Sequence, residues 1–261
     1  MEVKQKHTVS FIIPNWNHRQ LLYECISSIY ETIGHLKPEI IVVDNASTDG
    51  SVDHIKENYT DVIWFRNDVN LGYAKAINQG VYLSKGDFLF LLNNDVKLMT
   101  DTTEKLLTLL IEKPDVGAAA PALYYPDGGI QISCRRFPTP SALLLEFFRI
   151  DKIGSMRRWK LKEEEHLNKS MVLQPMSSAL MVKRQCWNDV GPLDEEFPIF
   201  FNDVDWCYRL YKNTNYKIYL YPEAKAIHHE GASVKHLGYK KNIEFYKGLL
   251  RFYFKHYISI K

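Results

Sequence analysis

Carboxylates, amides and imidazoles gather at four places in this chain, and three of those places directly follow an apolar run. The first is Asp44-Asn45-Ala46-Ser47-Thr48-Asp49-Gly50, after Glu39 to Val43. A carboxylate such as Asp44 at a strand end can accept a hydrogen bond from a nucleobase N–H or a ribose hydroxyl, or it can belong to a simple Asx/Ser cap in which Ser47 or Thr48 starts the next helix. The second runs from Asn67 to Asn78, where Gly72 permits a tight turn into a helix and Lys75 falls in its first turn, an arrangement that lets backbone approach a nucleotide. The third is Asn93-Asn94-Asp95, immediately after the five apolar residues Phe88 to Leu92. Beyond the carboxyl end of a buried strand these three side chains would form a ligand floor; taken alone they also fit an Asx turn.

The fourth is Phe200-Phe201-Asn202-Asp203-Val204-Asp205-Trp206-Cys207 with Arg209, followed by Ile227-His228-His229-Glu230-Gly231-Ala232-Ser233. Carboxylates among Phe197, Phe200, Phe201 and Trp206 would be partly desolvated, which raises an unpaired carboxyl pKa and equips it as a general base. The plainer alternative is helix capping by Asn202 or Asp203 and an Asp205–Arg209 ion pair at i, i+4. For the paired histidines, a metal ligand and a backbone-satisfied strand end stand side by side.

The elements that must position these residues alternate through the first half. Strands at Val9–Ile13 (closed by Pro14), Glu39–Val43, Val62–Phe65 and Phe88–Leu92 are separated by helical spacings around Leu22, Ile55 and Ile77, and a helix near Thr103–Glu112 leads to a strand at Val116–Ala120. Repeated strand-helix units predict an α/β fold with a Rossmann-like, mostly parallel central sheet flanked by helices. Pro126-Asp127-Gly128-Gly129 then marks a hairpin and the start of an antiparallel excursion. Phe147 to Lys169, rich in both charges, reads as a solvated, mobile connection. Tyr239 to Tyr257 combines Ile243, Tyr246, Leu250 and Phe254 with Lys240, Lys247 and Arg251, an amphipathic helix suited either to an anionic membrane surface or to docking on its own domain.

A length of 261 residues with 46% hydrophobic and 25% charged residues fits one domain, 1–261, with a first half at 1–121, a second at 122–238 and the helix at 239–261. A net charge of +2 offers no global argument for nucleic acid, and none is expected as a partner. Cys25, Cys134, Cys186 and Cys207 lack zinc or disulfide spacing and fit a reducing compartment. A polar start from Met1 to Thr8 and the lack of any apolar run of about 18 residues predict a cytoplasmic protein, peripheral at most on the inner face of the membrane.

Taken in order, the first strand ending in Pro14 with Asn17 behind it, Val42 to Ser51, Asn70 to Gly80, Leu91 to Val96, Gly191 to Phe197, Asn202 to Arg209 and His228 to Ser233 resemble the nucleotide-sugar-dependent glycosyltransferases of the GT-A type, in the large inverting family 2 that builds surface polysaccharides. The stretch from Pro121 through Gln131 and Ser133 to Arg136-Phe137-Pro138 looks like the rhamnosyltransferase branch, which uses dTDP-rhamnose; a branch using UDP-galactofuranose or UDP-hexoses shares much of it. The resemblance implies a GT-A fold, a dTDP- or UDP-sugar donor and a glycan or lipid-linked acceptor. It implies that Asp44 contacts the base, that Asn70 and Gly72 lie near the nucleoside, and that Pro14, Asn17, Lys75, Asn93 and Asn94 complete the nucleotide-sugar site. Asp95 would hold a divalent cation, Mn²⁺ or Mg²⁺, with His228, His229 being the fallback. Asp203 would be the catalytic base.

Two residues depart from that pattern. Asn93 stands where the family's metal motif has its first aspartate, which removes one negative charge. Asn202 stands where the residue before the base is usually Glu. A nucleotidyltransferase is disfavoured because Pro14 to Arg19 lacks a glycine-rich phosphate loop. A non-catalytic glycan-binding protein on the same fold stays as the third reading.

Overall fold

The structure is a computed structural model that describes residues 7–197, 199–230, 238 and 240–258. Its first half repeats strand and helix: β1 (Val9–Asn15), α1 (Arg19–Thr32), β2 (Glu39–Asp44), α2 (Ser51–Lys56), β3 (Ile63–Arg66), α3 (Tyr73–Leu83), β4 (Phe88–Leu92), β5 (Val96–Leu98), α4 (Thr102–Glu112) and β6 (Val116–Tyr124). The second half is less regular: β7 (Cys134–Arg135), α5 (Pro140–Phe147), β8 (Lys152–Ile153), β9 (Met156–Arg157), β10 (Ser170–Val172), β11 (Gln174–Pro175), β12 (Ala179–Lys183), α6 (Arg184–Val190), α7 (Asn202–Asn213), β13 (Lys217–His228) and α8 (Lys240–Tyr253).

The main sheet has the order β10-β13-β6-β12-β4-β1-β2-β3, with β5 pairing onto β13. Strands β3, β2, β1, β4, β6 and β13 run one way; β12, β10 and β5 run the other. β4 is buried along its whole length, as its apolar run requires, but only β1 pairs with it in parallel; β12 lies antiparallel on its other side. Apolar continuity reports burial on both faces and does not report the direction of the neighbours. Alternate residues of β1, β2 and β4 face two separate cores. Ile12, Ile41 and Leu91 pack with α3, α6 and α7; Phe11, Val42 and Phe90 pack with α1 and α4.

The short β5 brings distant chemistry together. The chain leaves β4 at Leu92, turns through Asn93-Asn94-Asp95 and re-enters the sheet on β13, with Val96 opposite His228. His229 N–H donates to the Asp95 carbonyl at 3.0 Å. The hairpin at Pro126 forms with a single antiparallel bridge, Tyr124 to Ile130.

Phe147–Lys169 is not a loose connection. Trp159, Leu161 and His166 in it are buried, and His166 Nε2 accepts the Cys134 N–H while Nδ1 donates to the Lys162 carbonyl. Several of its charges are paired: Arg158 with Glu146 at 3.2 Å, Lys162 with Asp151 at 2.9 Å and Glu165 with Arg136 at 2.7 Å. The pairs join residues far apart in sequence, so charge density alone suggested solvent. The predicted cap at Ser47 or Thr48 is also absent; α2 starts after Gly50 without a side-chain cap, because Ser47 Oγ is bonded to Asp44 instead.

The carboxyl-terminal helix docks on its own domain. Phe252 is 0% exposed and contacts Phe201 and Tyr208, while Phe245 contacts Phe201 with ring centres 5.2 Å apart. Its opposite face leaves Tyr246, Leu250 and Phe254 exposed. Tyr239, where the predicted helix begins, lies outside the described residues, as does most of Met1 to Thr8. Among the described residues no helix is long and apolar enough to cross a membrane. Phe252→Ala should lower unfolding free energy by about 3–5 kcal/mol through loss of buried contacts and a residual cavity, whereas Leu250→Ala should stay within about 0.5 kcal/mol. Denaturant unfolding of the two variants checks this.

Candidate active site

A cavity of ≈ 780 Å³ opens beyond the carboxyl ends of β1, β2 and β4, where an open α/β sheet places its ligands, and its volume suits a bound small molecule. Pro14, Asn45, Asn70 and Gly72 line one end; Asn93, Asn94, Asp95 and His228 form the floor; Asp203 faces them with Arg135 and Trp159. Gly72 has φ 85° and ψ 170°, a conformation that side chains resist, and its N–H is held by Asn70 Oδ1 at 2.9 Å. This turn sets the backbone against the cavity before α3 starts.

The floor has unspent acceptors. Asn93 Oδ1 and Asp95 Oδ1 are buried and have no hydrogen-bond donor. Gln131 donates from Nε2 to Glu230 at 3.2 Å, which turns its Oε1 toward His228 Nδ1 at 2.7 Å. Nδ1 therefore donates to Gln131, and Nε2 lies 3.3 Å from Asp95 Oδ1. The ring nitrogen and the carboxylate oxygen face each other, an arrangement completed by a cation or a proton. The donor set fits a divalent metal: one carboxylate and one imidazole, with the Asn93 amide oxygen as a further donor. No three His, Cys, Asp or Glu side chains come together among the described residues, so most of the coordination would come from the ligand itself.

Across the cavity, Phe201 adopts a left-handed backbone (φ 71°) and launches α7. Asn202 does not cap the helix; its Nδ2 donates to the carbonyls of Phe197 and Ile199, both at 3.1 Å. A glutamate could not donate to those carbonyls, so the departure at Asn202 is used to close the preceding loop. Asp203 Oδ1 accepts from Val204 N–H at 2.8 Å and Oδ2 from Gln174 Nε2 at 3.2 Å. Burial pushes the Asp203 carboxyl above its ordinary range, and the Arg135 charge and backbone donors, the Val204 N–H first among them, oppose the rise without cancelling it. The Asp205–Arg209 ion pair forms at 2.8 Å.

Pro14, Asn70, Gly72, Asn93, Asn94, Asp95, Asp203 and His228 thus share one cavity. Three predicted donor-site residues do not line it. Asp44 is 1% exposed and its carboxylate is taken by Asn15 at 2.9 Å, by Ser47 and by Arg66 at 3.4 Å. Asn17 Oδ1 accepts the Thr48 N–H, and Lys75 pairs with Glu195 at 2.9 Å. Gly231, Ala232 and Ser233 lie outside the described residues. Sequence reasoning missed Asn15, Asn45, Arg135, Trp159 and Gln174. Asn15 had a signal, since it ends β1 in register with Asp44; Arg135 and Gln174 had none, because a two-residue antiparallel pairing of β7 with β11 sets them beside Asp203.

Residues 10–168 match the family described as Glycosyl transferase family 2. An uncharacterized protein, y4gI, of Sinorhizobium fredii is 30% identical over 87% of this chain and 25% of its own length. The N-acetylglucosaminyl-diphospho-decaprenol L-rhamnosyltransferase of Mycobacterium tuberculosis is 28% identical over 74% of this chain and 67% of its own. Among solved structures, a mannosyltransferase from Pyrobaculum calidifontis in complex with GDP-Man and Mn²⁺ superposes with a TM-score of 0.65 at 19% identity, covering 99% of this chain and 66% of that one. TarS 1–349 of S. aureus gives 0.62 at 16% identity, over 93% and 63%. The fold is the GT-A fold of these transferases. The chain spans a quarter of the first relative and about two thirds of the others.

A raised carboxyl pKa makes the folded state bind more protons than the unfolded chain once pH exceeds the ordinary aspartate range, so Asp203 costs stability as pH rises through that window. Asp203→Asn should melt above the parent protein at pH 7.5, and the gain should vanish at pH low enough to protonate both states. Equal melting temperatures at pH 7.5 would remove the desolvation argument.

Proposed function

This chain belongs to glycosyl transferase family 2, and from that membership we propose that it transfers a sugar from a nucleoside-diphosphate donor to a glycan or lipid-linked acceptor, with inversion at the anomeric carbon, in surface polysaccharide synthesis. One observation carries the reading: the buried acceptors of Asn93 and Asp95 beside His228 Nε2 share one cavity with a desolvated carboxylate at Asp203. The first group suits a cation and a diphosphate; the second suits a proton.

The nucleoside would lie toward Pro14, Asn45, Asn70 and Gly72, with the sugar reaching over Asn93 and Asn94. Asp44 and Asn17 act on it through the loops they hold, and Lys75 through its tie to Glu195. Asp95 and His228 would hold a divalent cation, Mn²⁺ or Mg²⁺, which would supply positive charge against the leaving diphosphate. Asp203 takes the proton from an acceptor hydroxyl as that oxygen forms its bond to the anomeric carbon and the bond to the diphosphate oxygen breaks on the opposite face. Gln174 and the Val204 N–H hold the carboxylate for this single displacement, and no covalent sugar-enzyme species is needed.

For the donor we propose dTDP-rhamnose, supported by Gln131, Ser133 and Arg136-Phe137-Pro138 and by the rhamnosyltransferase relative. The exposed face of α8, with Tyr246, Leu250 and Phe254 beside Lys240 and Lys247, supports peripheral contact with the inner face of a membrane.

Screening a panel of dTDP- and UDP-sugars, UDP-galactofuranose included, for cation-dependent release of nucleoside diphosphate names the donor; no release from any of them returns the chain to a glycan-binding role. With the active donor in hand, Asp203→Asn should keep nucleotide binding and lose at least about a hundredfold in turnover. Asp95→Ala should weaken nucleoside-diphosphate binding in the presence of Mn²⁺, and an unchanged Mn²⁺ dependence excludes it as a ligand.

A further inference from the structure

Between Leu144 and Lys162 the chain carries six cations against two carboxylates, whereas all 261 residues together net only +2. Both carboxylates are taken: Glu146 by Arg158 at 3.2 Å, and Asp151 by Lys162 at 2.9 Å and Arg158 at 3.5 Å. Arg149, Lys152 and Arg157 are exposed, and among the described residues none of the three has a carboxylate at ion-pair distance. The positive charge left over is concentrated on a few neighbouring residues and faces water.

The same stretch exposes Leu144, Phe147, Phe148, Ile150, Ile153 and Met156, with Phe147 79% exposed. They are held in place from beneath. Ala142 and Leu145 bury the inner face of α5. Its carboxyl end closes through Arg149, at φ 56°, whose N–H donates to the Glu146 carbonyl at 3.1 Å while Ile150 N–H donates to the Leu145 carbonyl at 2.9 Å. The chain then enters the β8–β9 hairpin, which pairs Lys152 with Arg157 and Ile153 with Met156. Facing residues of an antiparallel pair share a side, so the hairpin has one cationic face and one apolar face. At its tip, no atom lies within 4 Å of where a Cβ on Gly154 would stand. α5 lies against β9, so the helix end and the hairpin make one surface.

An ordered surface that mixes exposed aromatic and aliphatic side chains with unpaired cations fits an anionic bilayer. Apolar groups enter the acyl boundary, and Lys and Arg stems carry their charges up to the lipid phosphates. A second copy fits worse, because a two-fold contact lays the patch on itself and sets Arg149, Lys152 and Arg157 against their like. The exposed stripe of α8 has less free charge beside it, since Lys247, Arg251 and Lys255 are paired with Glu244, Glu196 and Asp194. We propose that α5 and the β8–β9 hairpin form a lipid-binding wedge: Phe147, Phe148, Ile153 and Met156 sit in the acyl boundary of an anionic membrane, and Arg149, Lys152 and Arg157 hold its headgroup phosphates. The contact is separate from the α8 face and independent of the reaction.

Co-sedimentation of the full chain with vesicles tests it. The parent should bind phosphatidylcholine vesicles containing about a third phosphatidylglycerol roughly a hundredfold more tightly than phosphatidylcholine alone, the free cations contributing about fivefold each. Arg149→Gln/Lys152→Gln/Arg157→Gln should remove that difference, and Phe147→Ser/Phe148→Ser should weaken binding at least about tenfold. Both variants should melt with the parent, because every side chain changed is exposed. The four native cysteines are buried, so an environment-sensitive dye on Ile153→Cys reports that position, and its emission should shift to the blue on anionic vesicles. A parent that ignores anionic vesicles, or both multiple variants binding as the parent does, overturns the wedge. Binding lost in Leu250→Ser/Phe254→Ser but kept in the arginine-lysine and phenylalanine variants assigns the contact to α8 and overturns it equally. An unshifted dye on vesicle-bound protein overturns insertion of the hairpin. A dimer in lipid-free sedimentation velocity that Phe147→Ser/Phe148→Ser dissolves gives the patch to a second copy and overturns the lipid contact.

Discussion

The amide of Asn15 ties three strand ends into one floor. It is 1% exposed at the end of β1, and its Nδ2 faces Asp44 Oδ1 at 2.9 Å, Ser47 Oγ at 3.1 Å and Ser51 Oγ at 3.2 Å. Its Oδ1 accepts from Asn94 Nδ2 at 2.7 Å. The ends of β2 and β4 are thus held to β1 by one side chain, and Asp95 follows directly from the residue so held. In a low-dielectric setting a fully satisfied network of this kind is stiff, because every displacement leaves a buried group unpaired. Asp44 serves the floor in the same way. Its carboxylate is consumed in positioning the loop that carries Asn45, and Asn45 Nδ2 in turn donates to the Gly72 carbonyl at 3.2 Å.

Against that stiff floor the opposite wall is assembled from short pieces. β7 and β11 contribute two residues each, yet their pairing places Arg135 and Gln174 together and brings Gln174 to Asp203. The wall is then roofed by α8, whose Phe245 and Phe252 pack on Phe201 at the start of the base-bearing helix. Asp203 is raised by burial and moderated by Arg135, and both residues line the one cavity. A charged group bound beside Arg135 would therefore shift the Asp203 carboxyl in turn.

Much of this was legible in the residues. The run Phe88 to Leu92 followed by three polar side chains located the floor, because an uninterrupted apolar strand must be buried and its end must be polar where a ligand sits. The order of Asp95, Asp203 and His228 located the cavity. What was not legible depended on partners far along the chain. The antiparallel insertion of β12 between β4 and β6 leaves no mark on β4 itself. Lys75, expected in the nucleotide-sugar site, is instead met by Glu195, and Asn202, a departure from the expected glutamate, closes its amide on Phe197 and Ile199. The charges of Phe147–Lys169 looked solvated because Arg158, Lys162 and Glu165 find their counter-charges across a turn or on another element.

Two residues past the predicted base, Asp205 is 0% exposed, and besides Arg209 it is met by Lys255 Nζ at 2.8 Å and His256 Nε2 at 2.7 Å. Its Arg209 partner is local, and Lys255 and His256 lie about fifty residues later. During synthesis α7 therefore emerges before the segment that completes its contacts, and Asp205 keeps only its local partner until residues 255 and 256 fold back onto it.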